Sequence, residues 1–169
     1  MATTSYAIAL GSNRRHGRHG APADVVRAGL EALAGLGKIE AASAIRATPA
    51  LGPAGRGFAN AAALLATDLA PDDLLDALKA IERRFGRRGG RRWGPRVLDL
   101  DILLWSEGPW GGPGPIIPHP AFRTRAFVLD PLAEIAPGWR DPIGGLSVRQ
   151  LHARLTAPRP AHAPDRSRP

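Results

Sequence analysis

The sequence predicts an α+β domain in which four strands and two helices follow one another in the order β-α-β-β-α-β. Its 169 residues suit one domain, and 44% of them are hydrophobic, which is enough to build a buried core. Short apolar runs alternate with segments of helical periodicity, and stretches rich in Gly and Pro separate them. This alternation sets the fold class.

The first half of the chain supplies two strands and one helix. Residues 6–10 form an apolar run that ends at Gly11-Ser12-Asn13, which indicates a buried strand entering a tight turn. Apolar side chains at helical spacing predict a helix over residues 22–36, and residues 39–47 are expected to form a second strand. Residues 48–57 contain too much Pro and Gly for regular structure, so we expect a long and functional loop there.

The second half completes the pattern. Residues 58–67 return to an apolar run that predicts a third strand, although their alanines would also suit a helix. A helix is expected over residues 71–85, because Asp72 and Asp73 match its positive end and two arginines match its negative end. A fourth strand over residues 97–105 gives the ferredoxin-like order.

A C-terminal extension follows this core. A segment rich in Gly and Pro leads into a mixed apolar and basic stretch up to Pro137, to which we assign no element. Ser147 is placed to cap a last short helix through Leu155. We expect the domain to span residues 1–156, and residues 157–169 to be a disordered Pro/Arg-rich tail.

Composition excludes several classes of protein. The chain has no run of about 18 uncharged apolar residues, so we expect no membrane span. The first residues, MATTSYAIAL, have no basic segment ahead of an apolar core, so we expect no signal peptide. The absence of cysteine excludes disulfides and thiolate metal sites, and it agrees with a cytoplasmic location.

The formal net charge of +8 is concentrated in one internal segment. Seven arginines and no acidic residue lie between residues 83 and 96. Such a concentration indicates a compact anion site at least as well as a broad nucleic-acid surface.

The segment LDLDI at residues 98–102 carries the most informative pair of side chains. Side chains two residues apart share one face of a strand, so Asp99 and Asp101 should point the same way while the leucines face the core. Two carboxylates side by side repel each other unless a cation lies between them, and Mg²⁺ commonly takes one or two carboxylates plus phosphate oxygens. The alternative is an edge strand with a solvated face.

Residues 86–96, GRRGGRRWGPR, form an arginine-rich segment just before this pair. Glycines allow movement and guanidinium groups match phosphate oxygens, which predicts a mobile lid that closes over a polyphosphate. The same run resembles arginine-glycine segments that bind RNA. The adjacent carboxylates favour the lid, since they would repel nucleic acid unless a metal intervened.

Other candidate residues lie outside that segment. The chain has no P-loop, because the one Gly-Lys pair is followed by Ile39. His119 lies between two prolines, where a structural role is the more common one. Arg123 and Arg125 could contact phosphate or form a solvated surface pair.

Taken together, these motifs resemble the 6-hydroxymethyl-7,8-dihydropterin pyrophosphokinase family. The resemblance covers residues 6–155, in the family's order and spacing, and rests on the segments ALGSN (9–13), TPxLGP (48–53), FxNA (58–61), RWGPR (92–96), LDLDI (98–102), IPHP (117–120) and FVLxPLxEIAP (127–137).

The resemblance implies transfer of the β,γ-diphosphate of ATP to the hydroxymethyl oxygen of the pterin, with release of AMP, in folate biosynthesis. It implies two magnesium ions bridged by Asp99 and Asp101, and phosphate contacts from the loop arginines Arg87 and Arg96. Asp101 is also our candidate to assist removal of the alcohol's proton.

The resemblance also implies which residues form the ATP site and the pterin site. We expect the ATP site to include Lys79, Glu82, Ile102, His119, Arg123 and Arg125. The pterin is expected to contact Thr48, Pro49, Leu51 and Asn60, with its ring between Phe58 and Phe127. A flat heteroaromatic ring needs two stacking faces and a few edge hydrogen bonds, and these residue types supply both.

The chain departs from the family pattern in a few places. Residues 14–17, RRHG, are basic where acidic residues are frequent, and Lys79 stands where glutamine is common. The lid is slightly shorter than in some relatives, so its remaining arginines receive no individual roles. Residues 114–116 lack polar side chains that some members use near the ribose.

Two rival functions remain open at this point. One is a single-stranded RNA-binding domain of ferredoxin-like shape, although one tyrosine and four phenylalanines make an aromatic sheet platform hard to build. The other is a catalytically inactive member kept as an interaction module. We expect an active monomer that binds ATP and a pterin alcohol, but neither nucleic acid nor membrane.

Overall fold

One antiparallel sheet organises the described residues, which are 2–48, 57–86 and 97–158 of the computed structural model. Its strands are β1 (Thr4–Ser12), β2 (Lys38–Ala42), β3 (Arg46–Thr48), β4 (Phe58–Thr67) and β5 (Asp99–Trp105). The helices are α1 (Pro22–Leu33), α2 (Pro71–Gly86), α3 (Ala126–Ile135) and α4 (Val148–Thr156), with a 3₁₀ turn at Phe122–Thr124.

The strands lie in the order β2-β4-β1-β5, and β3 extends the sheet beside β4. When β2 and β3 are taken as one interrupted strand, the chain follows the predicted β-α-β-β-α-β order. Each pair of neighbours is antiparallel, as the ferredoxin-like arrangement requires. The predicted α+β fold is therefore confirmed.

The two faces of the sheet bury two separate cores, because side chains alternate along each strand. Along β1, Tyr6, Ile8 and Leu10 belong to the core shared with α1 and α2. Ala7 belongs to the second core, shared with α3 and α4. The small residues on this second face of β1 decide where the site can form, because they leave space above the sheet.

The predicted strand over residues 39–47 is divided into β2 and β3. At the break, the hydroxyl of Ser43 accepts a hydrogen bond from the backbone N–H of Ala62 at 2.9 Å. The N–H of Ala44 instead donates to Oε1 of Glu134 at 3.0 Å. Side chains thus replace two bonds of the backbone ladder, and a pattern of apolar residues alone does not reveal such replacements.

The stretch before Pro137, to which the sequence analysis assigns no element, contains the 3₁₀ turn and α3. Pro131 lies inside α3 and has no N–H to donate to the carbonyl four residues earlier. The helix forms nevertheless, because Val128, Leu129 and Leu132 pack into the second core. Burial here outweighs the local cost of proline.

The predictions for α2 and α4 hold closely. α2 begins at Pro71 with two acidic residues in its first turn and ends with two arginines in its last. In α4, Oγ of Ser147 accepts from the N–H of Gln150 at 3.2 Å, and the Gln150 side chain accepts from the N–H of Ser147 at 2.9 Å. This reciprocal cap is the one expected of Ser147.

Two expectations concern the outer parts of the chain. None of the helices within the described ranges is long and apolar enough to cross a membrane. The tail predicted over residues 157–169 lies outside those ranges from residue 159 onward.

Candidate active site

A cavity of about 530 Å³ opens on the α3 face of the sheet. It is lined by the ends of three neighbouring strands, β4, β1 and β5, and by the start of α3. Its wall residues are Ala9, Leu10, Gly11, Ser12, Asn13, Phe58, Asn60, Asp99, Asp101, Leu103, His119, Arg125, Phe127 and Val128. A volume of this size is typical of sites for small molecules.

Strand register brings the polar residues of the floor together. Gly11 of β1 pairs with Asn60 of β4 on one side and with Asp99 of β5 on the other. Two residues earlier in β1, on the same face of the strand, Ala9 pairs with Asp101. Because Ala9 and Gly11, the central-strand partners of these residues, have little or no side chain, the carboxylates and the amide border an open space.

A side chain at the position of Gly11 would crowd Asn60. A Cβ atom at this residue would lie 3.2 Å from Oδ1 of Asn60, which is closer than ordinary van der Waals contact. Glycine therefore lets the Asn60 amide lie against the strand.

Asp99 and Asp101 both line the cavity, as their alternation in a strand predicts. Leu98 and Leu100 are buried at 0% exposure on the other face. The rise of a strand places the two Asp Cα atoms roughly 6.6 Å apart. Leu103 shares their face, next to a shift in the β1–β5 register.

These carboxylates suit one particular kind of metal binding. Within the described ranges, no group of three or more His, Cys, Asp or Glu side chains could enclose a metal ion. Mg²⁺ needs no such cage, since it usually keeps water and is bound by one or two carboxylates together with phosphate oxygens. The pair therefore fits Mg²⁺ that arrives with a polyphosphate.

Two aromatic side chains stand at the cavity wall with much of their surface uncovered. Phe58 is 50% exposed and Phe127 is 52% exposed, unusual values for phenylalanine. The guanidinium carbon of Arg125 lies 5.8 Å from the centre of the Phe127 ring. The wall thus offers apolar ring faces and a positive charge next to each other.

His119 is held at the cavity by its own loop. Its backbone N–H donates to the carbonyl of Leu103 at 3.0 Å, and its Nδ1 accepts from the N–H of Ala121 at 3.1 Å. A neutral imidazole that accepts at Nδ1 carries its proton on Nε2. The ring can therefore donate one hydrogen bond from Nε2 to an anion.

Comparison with known proteins agrees with this geometry. Residues 7–137 match the family model of the 7,8-dihydro-6-hydroxymethylpterin-pyrophosphokinases. The chain belongs to this family. A Pseudomonas aeruginosa protein named 2-amino-4-hydroxy-6-hydroxymethyldihydropteridine pyrophosphokinase is 46% identical over 140 residues, which cover 81% of this chain and 83% of that protein. A Synechocystis protein of the same name is 41% identical over 122 residues, covering 72% and 62%.

Solved structures show the same fold in a larger protein. The crystal structure of Plasmodium falciparum HPPK-DHPS with pteroate superposes on 90% of the chain with a TM-score of 0.68, at 13% sequence identity. This pyrophosphokinase-family chain spans 43% of that protein's length. At so low an identity the likeness supports the fold alone.

Three residues predicted to bind ATP lie away from the cavity wall and contact one another or the core. Glu82 is almost buried, and its two oxygens accept hydrogen bonds from the N–H of Leu100 and from Nζ of Lys79, at 2.8 and 2.9 Å. Ile102 is 4% exposed and belongs to the core shared with α1 and α2. Neither carboxylate oxygen of Glu82 is without a partner.

Arg123, also predicted to contact ATP, lies outside the cavity wall. Instead of lining the cavity, its guanidinium group binds the buried carboxylate of Asp141. These hydrogen bonds hold the pKa of Asp141 below its ordinary value. Arg125, two residues further, does line the cavity.

Several predicted site residues lie outside the described part of the chain. These are the lid arginines Arg87 and Arg96 and the pterin contacts Pro49 and Leu51. Thr48 is the last residue of β3 and pairs with Phe58 of β4. Its backbone is therefore next to an aromatic residue of the cavity wall.

Sequence reasoning gave no role to three residues that shape this region. Gly11 and Ser12 are predicted to begin a tight turn, but both belong to β1. Ala9 and Gly11 instead act as small residues inside a central strand, which are a signal for close approach or open space. No sequence motif predicts a role for Asp141. The sequence Asp-Pro-Ile-Gly-Gly at residues 141–145 marks a turn, but a turn does not reveal which arginine its carboxylate will bind.

Proposed function

We propose that this chain transfers the β,γ-diphosphate of ATP to 6-hydroxymethyl-7,8-dihydropterin, giving AMP and the pterin diphosphate. One observation carries the proposal: a single cavity is lined by two carboxylates from one strand and by two exposed phenylalanines. The carboxylates suit a metal-bound polyphosphate and the phenylalanines suit a flat ring. A site that joins the two chemistries can bring a phosphate donor to a ring-bearing acceptor.

The pterin ring is proposed to lie between Phe58 and Phe127. Offset stacking on both faces would hold the plane of the ring, and the Asn60 amide offers a donor and an acceptor to its edge. Backbone groups of Thr48, Pro49 and Leu51 are proposed to complete that edge. In this position the hydroxymethyl group can reach the carboxylates of β5, which border the same cavity.

ATP is proposed to bind with its phosphates between Asp99, Asp101 and the basic residues around them. Mg²⁺, two ions in our proposal, would neutralise phosphate charge and align the β-phosphorus when bound by the two aspartates. His119 donates from Nε2 and Arg125 donates from its guanidinium group to phosphate oxygens. Arg87 and Arg96 are proposed to contact the transferring group. Lys79, Ile102 and Arg123 remain our candidates for the surrounding nucleotide site, and Glu82 is proposed to support that site from behind β5.

The reaction is proposed to be a direct displacement. The hydroxymethyl oxygen forms a bond to the β-phosphorus, the bond from that phosphorus to the oxygen bridging to the α-phosphate breaks, and AMP leaves. The proton of the alcohol passes to Asp101 and then to water. Positioning and charge neutralisation supply most of the acceleration in such transfers, so no covalent intermediate is required.

We further propose that the enzyme works as a monomer in the cytoplasm, with residues 1–156 as its domain. Within the described residues the last helix, α4, ends at Thr156. The cysteine-free composition suits a reducing compartment.

An RNA-binding function is the less favoured alternative. Domains of this shape that bind single-stranded RNA present an open sheet face with aromatic side chains. Here α3 and α4 pack over the sheet face opposite α1 and α2, and they leave a confined cavity. We therefore expect no binding of nucleic acid.

The decisive experiment is a product assay. The protein is incubated with ATP, Mg²⁺ and the pterin alcohol, and nucleotides are separated by chromatography. AMP formed in step with pterin diphosphate, without ADP, is the expected result. Formation of ADP would indicate transfer of a single phosphate, and absence of turnover would support the inactive interaction module.

A further inference from the structure

The carboxylate of Glu82 lies behind the strand that carries the aspartate pair. Glu82 belongs to α2, and its side chain is only 8% exposed. Its Oε1 atom accepts a hydrogen bond of 2.8 Å from the backbone N–H of Leu100, the residue between Asp99 and Asp101. Its Oε2 atom accepts one of 2.9 Å from Nζ of Lys79. The helix therefore contacts the strand at the centre of the pair.

This contact provides a hydrogen-bond acceptor for a buried backbone N–H at the edge of the sheet. β5 has β1 as its one neighbour in the described sheet, so alternate N–H groups of β5 point away from any strand. Leu100 is fully buried, and a buried N–H without an acceptor is destabilising. Glu82 supplies the acceptor that another strand would provide in the middle of a sheet.

We propose that Glu82 is a positioning residue for the metal-binding aspartates. Its hydrogen bond fixes the peptide unit between Asp99 and Asp101, and thereby the directions in which both Cα–Cβ bonds leave the strand. The inference rests on the proposed function, in which the two carboxylates hold Mg²⁺ with ATP.

Lys79 completes the arrangement. Glu82 adds a third negative charge close to two aspartates, which would weaken the structure if it were unbalanced. The ammonium group of Lys79 supplies the opposite charge at 2.9 Å. Because hydrogen bonds to an ionised carboxylate are stronger than neutral ones, the pair also favours a firm bond to Leu100.

A positioning role differs measurably from a direct contact with the nucleotide. If Glu82 touched ATP, its loss would raise KM for ATP. If it instead orients the side chains of Asp99 and Asp101, its loss weakens divalent-ion affinity and lowers kcat. Residues that hydrogen-bond behind metal ligands affect binding by fixing the orientation of those ligands. The two roles therefore predict different parameters.

Two substitutions separate hydrogen bonding from charge. Glu82→Gln keeps an oxygen at the right distance to accept from Leu100 but loses the charge. Glu82→Asp keeps the charge but its shorter side chain cannot reach the N–H. We expect Glu82→Asp to weaken Mn²⁺ binding, titrated by electron paramagnetic resonance with α,β-methylene-ATP present, by about 10- to 100-fold. Glu82→Gln should retain most of the affinity.

Amide exchange measured by NMR gives an independent readout. Exchange of the Leu100 N–H should accelerate in Glu82→Asp and remain slow in Glu82→Gln. Wild-type Mn²⁺ affinity in Glu82→Asp, or a rise in KM for ATP alone, would overturn the proposal. Absence of AMP formation by the wild type would instead count against the proposed function, while the exchange and Mn²⁺ measurements would still test Glu82.

Glu134→Ala is the matched control. Glu134 also accepts from a backbone N–H, that of Ala44, and also binds a basic side chain, Arg46 at 2.8 Å. It belongs to α3 and contacts the break between β2 and β3, which β4 and β1 separate from β5. Its removal should leave Mn²⁺ affinity unchanged, and an equal loss of affinity in this variant would refute a specific role for Glu82.

Discussion

The guanidinium group of Arg123 makes two hydrogen bonds to the carboxylate of Asp141, from Nε at 2.5 Å and from Nη2 at 2.6 Å. Asp141 is 1% exposed, and it also accepts from the N–H of Ile143. Arg123 belongs to the 3₁₀ turn between His119 and Arg125, both of which line the cavity. The pair therefore connects that wall to the loop that precedes α4.

Replacing Arg123 by alanine should mainly reduce stability. The substitution leaves the Asp141 carboxylate buried without its counter-ion. Breaking a buried pair costs about 3 kcal/mol at the lower end of the usual range, which applies here because the Arg123 side chain is 30% exposed. For a domain of this size the melting temperature should fall by roughly 6–12 °C.

Arg140→Ala serves as the control for this measurement by differential scanning calorimetry. Arg140 is exposed and donates one hydrogen bond to the carbonyl of Gly145, so its loss should change the melting temperature little. An Arg123→Ala variant that melts like the wild type but loses turnover would instead place Arg123 among the phosphate contacts.

The same ion pair predicts how stability depends on pH. Hydrogen bonds from Arg123 hold the pKa of Asp141 below its ordinary value of 3.8. A carboxyl group with a lowered pKa in the folded state contributes stability that is complete above the unfolded value and is lost as the pH falls through the folded value. The free energy of unfolding should therefore decline below about pH 4.

Asp141→Asn tests this dependence, because asparagine cannot ionise. The variant should be less stable than the wild type near neutral pH, and the difference should shrink as the pH is lowered from 5 to 2 in urea titrations. A difference that stays constant across that range would show that ionisation of Asp141 does not contribute.

Local features of this site could be predicted from the sequence, but contacts that depend on tertiary packing could not. Alternation in a strand was sufficient to place Asp99 and Asp101 on one face, because that geometry is local. The partner of Arg123 is 18 residues away and depends on how two loops pack, so no local pattern indicates it. The same holds for α3, whose proline argues against a helix until the second core is known.

Gly11→Ala should narrow the pterin site without unfolding the protein. The new Cβ would lie 3.2 Å from Oδ1 of Asn60, so the amide must shift by a few tenths of an ångström. Because Asn60 is the proposed edge contact, KM for the pterin should rise about ten-fold, which corresponds to roughly 1.4 kcal/mol, the cost of one impaired hydrogen bond.

Gly138→Ala is the matched control, since a Cβ at that position would meet nothing within 4 Å. Steady-state kinetics should give this variant the wild-type KM for the pterin. Unchanged KM in Gly11→Ala as well would mean that the Asn60 amide does not contact the ring.

Asp101→Asn should separate metal binding from folding. Asparagine has nearly the same shape but no charge, so without ligands the variant should melt at or above the wild-type temperature, because a like charge near Asp99 has been removed.

Ligand binding gives the second part of the test. A ligand at 100 times its Kd stabilises the folded state by about 2.7 kcal/mol. With Mg²⁺ and α,β-methylene-ATP at such concentrations, the wild type should gain roughly 5–11 °C. Asp68→Asn, an exposed carboxylate outside the cavity, should show the same gain. Asp101→Asn should lose most of it, since Mg²⁺ is then left with one of its two carboxylates. A full gain in Asp101→Asn would remove this residue from the metal site.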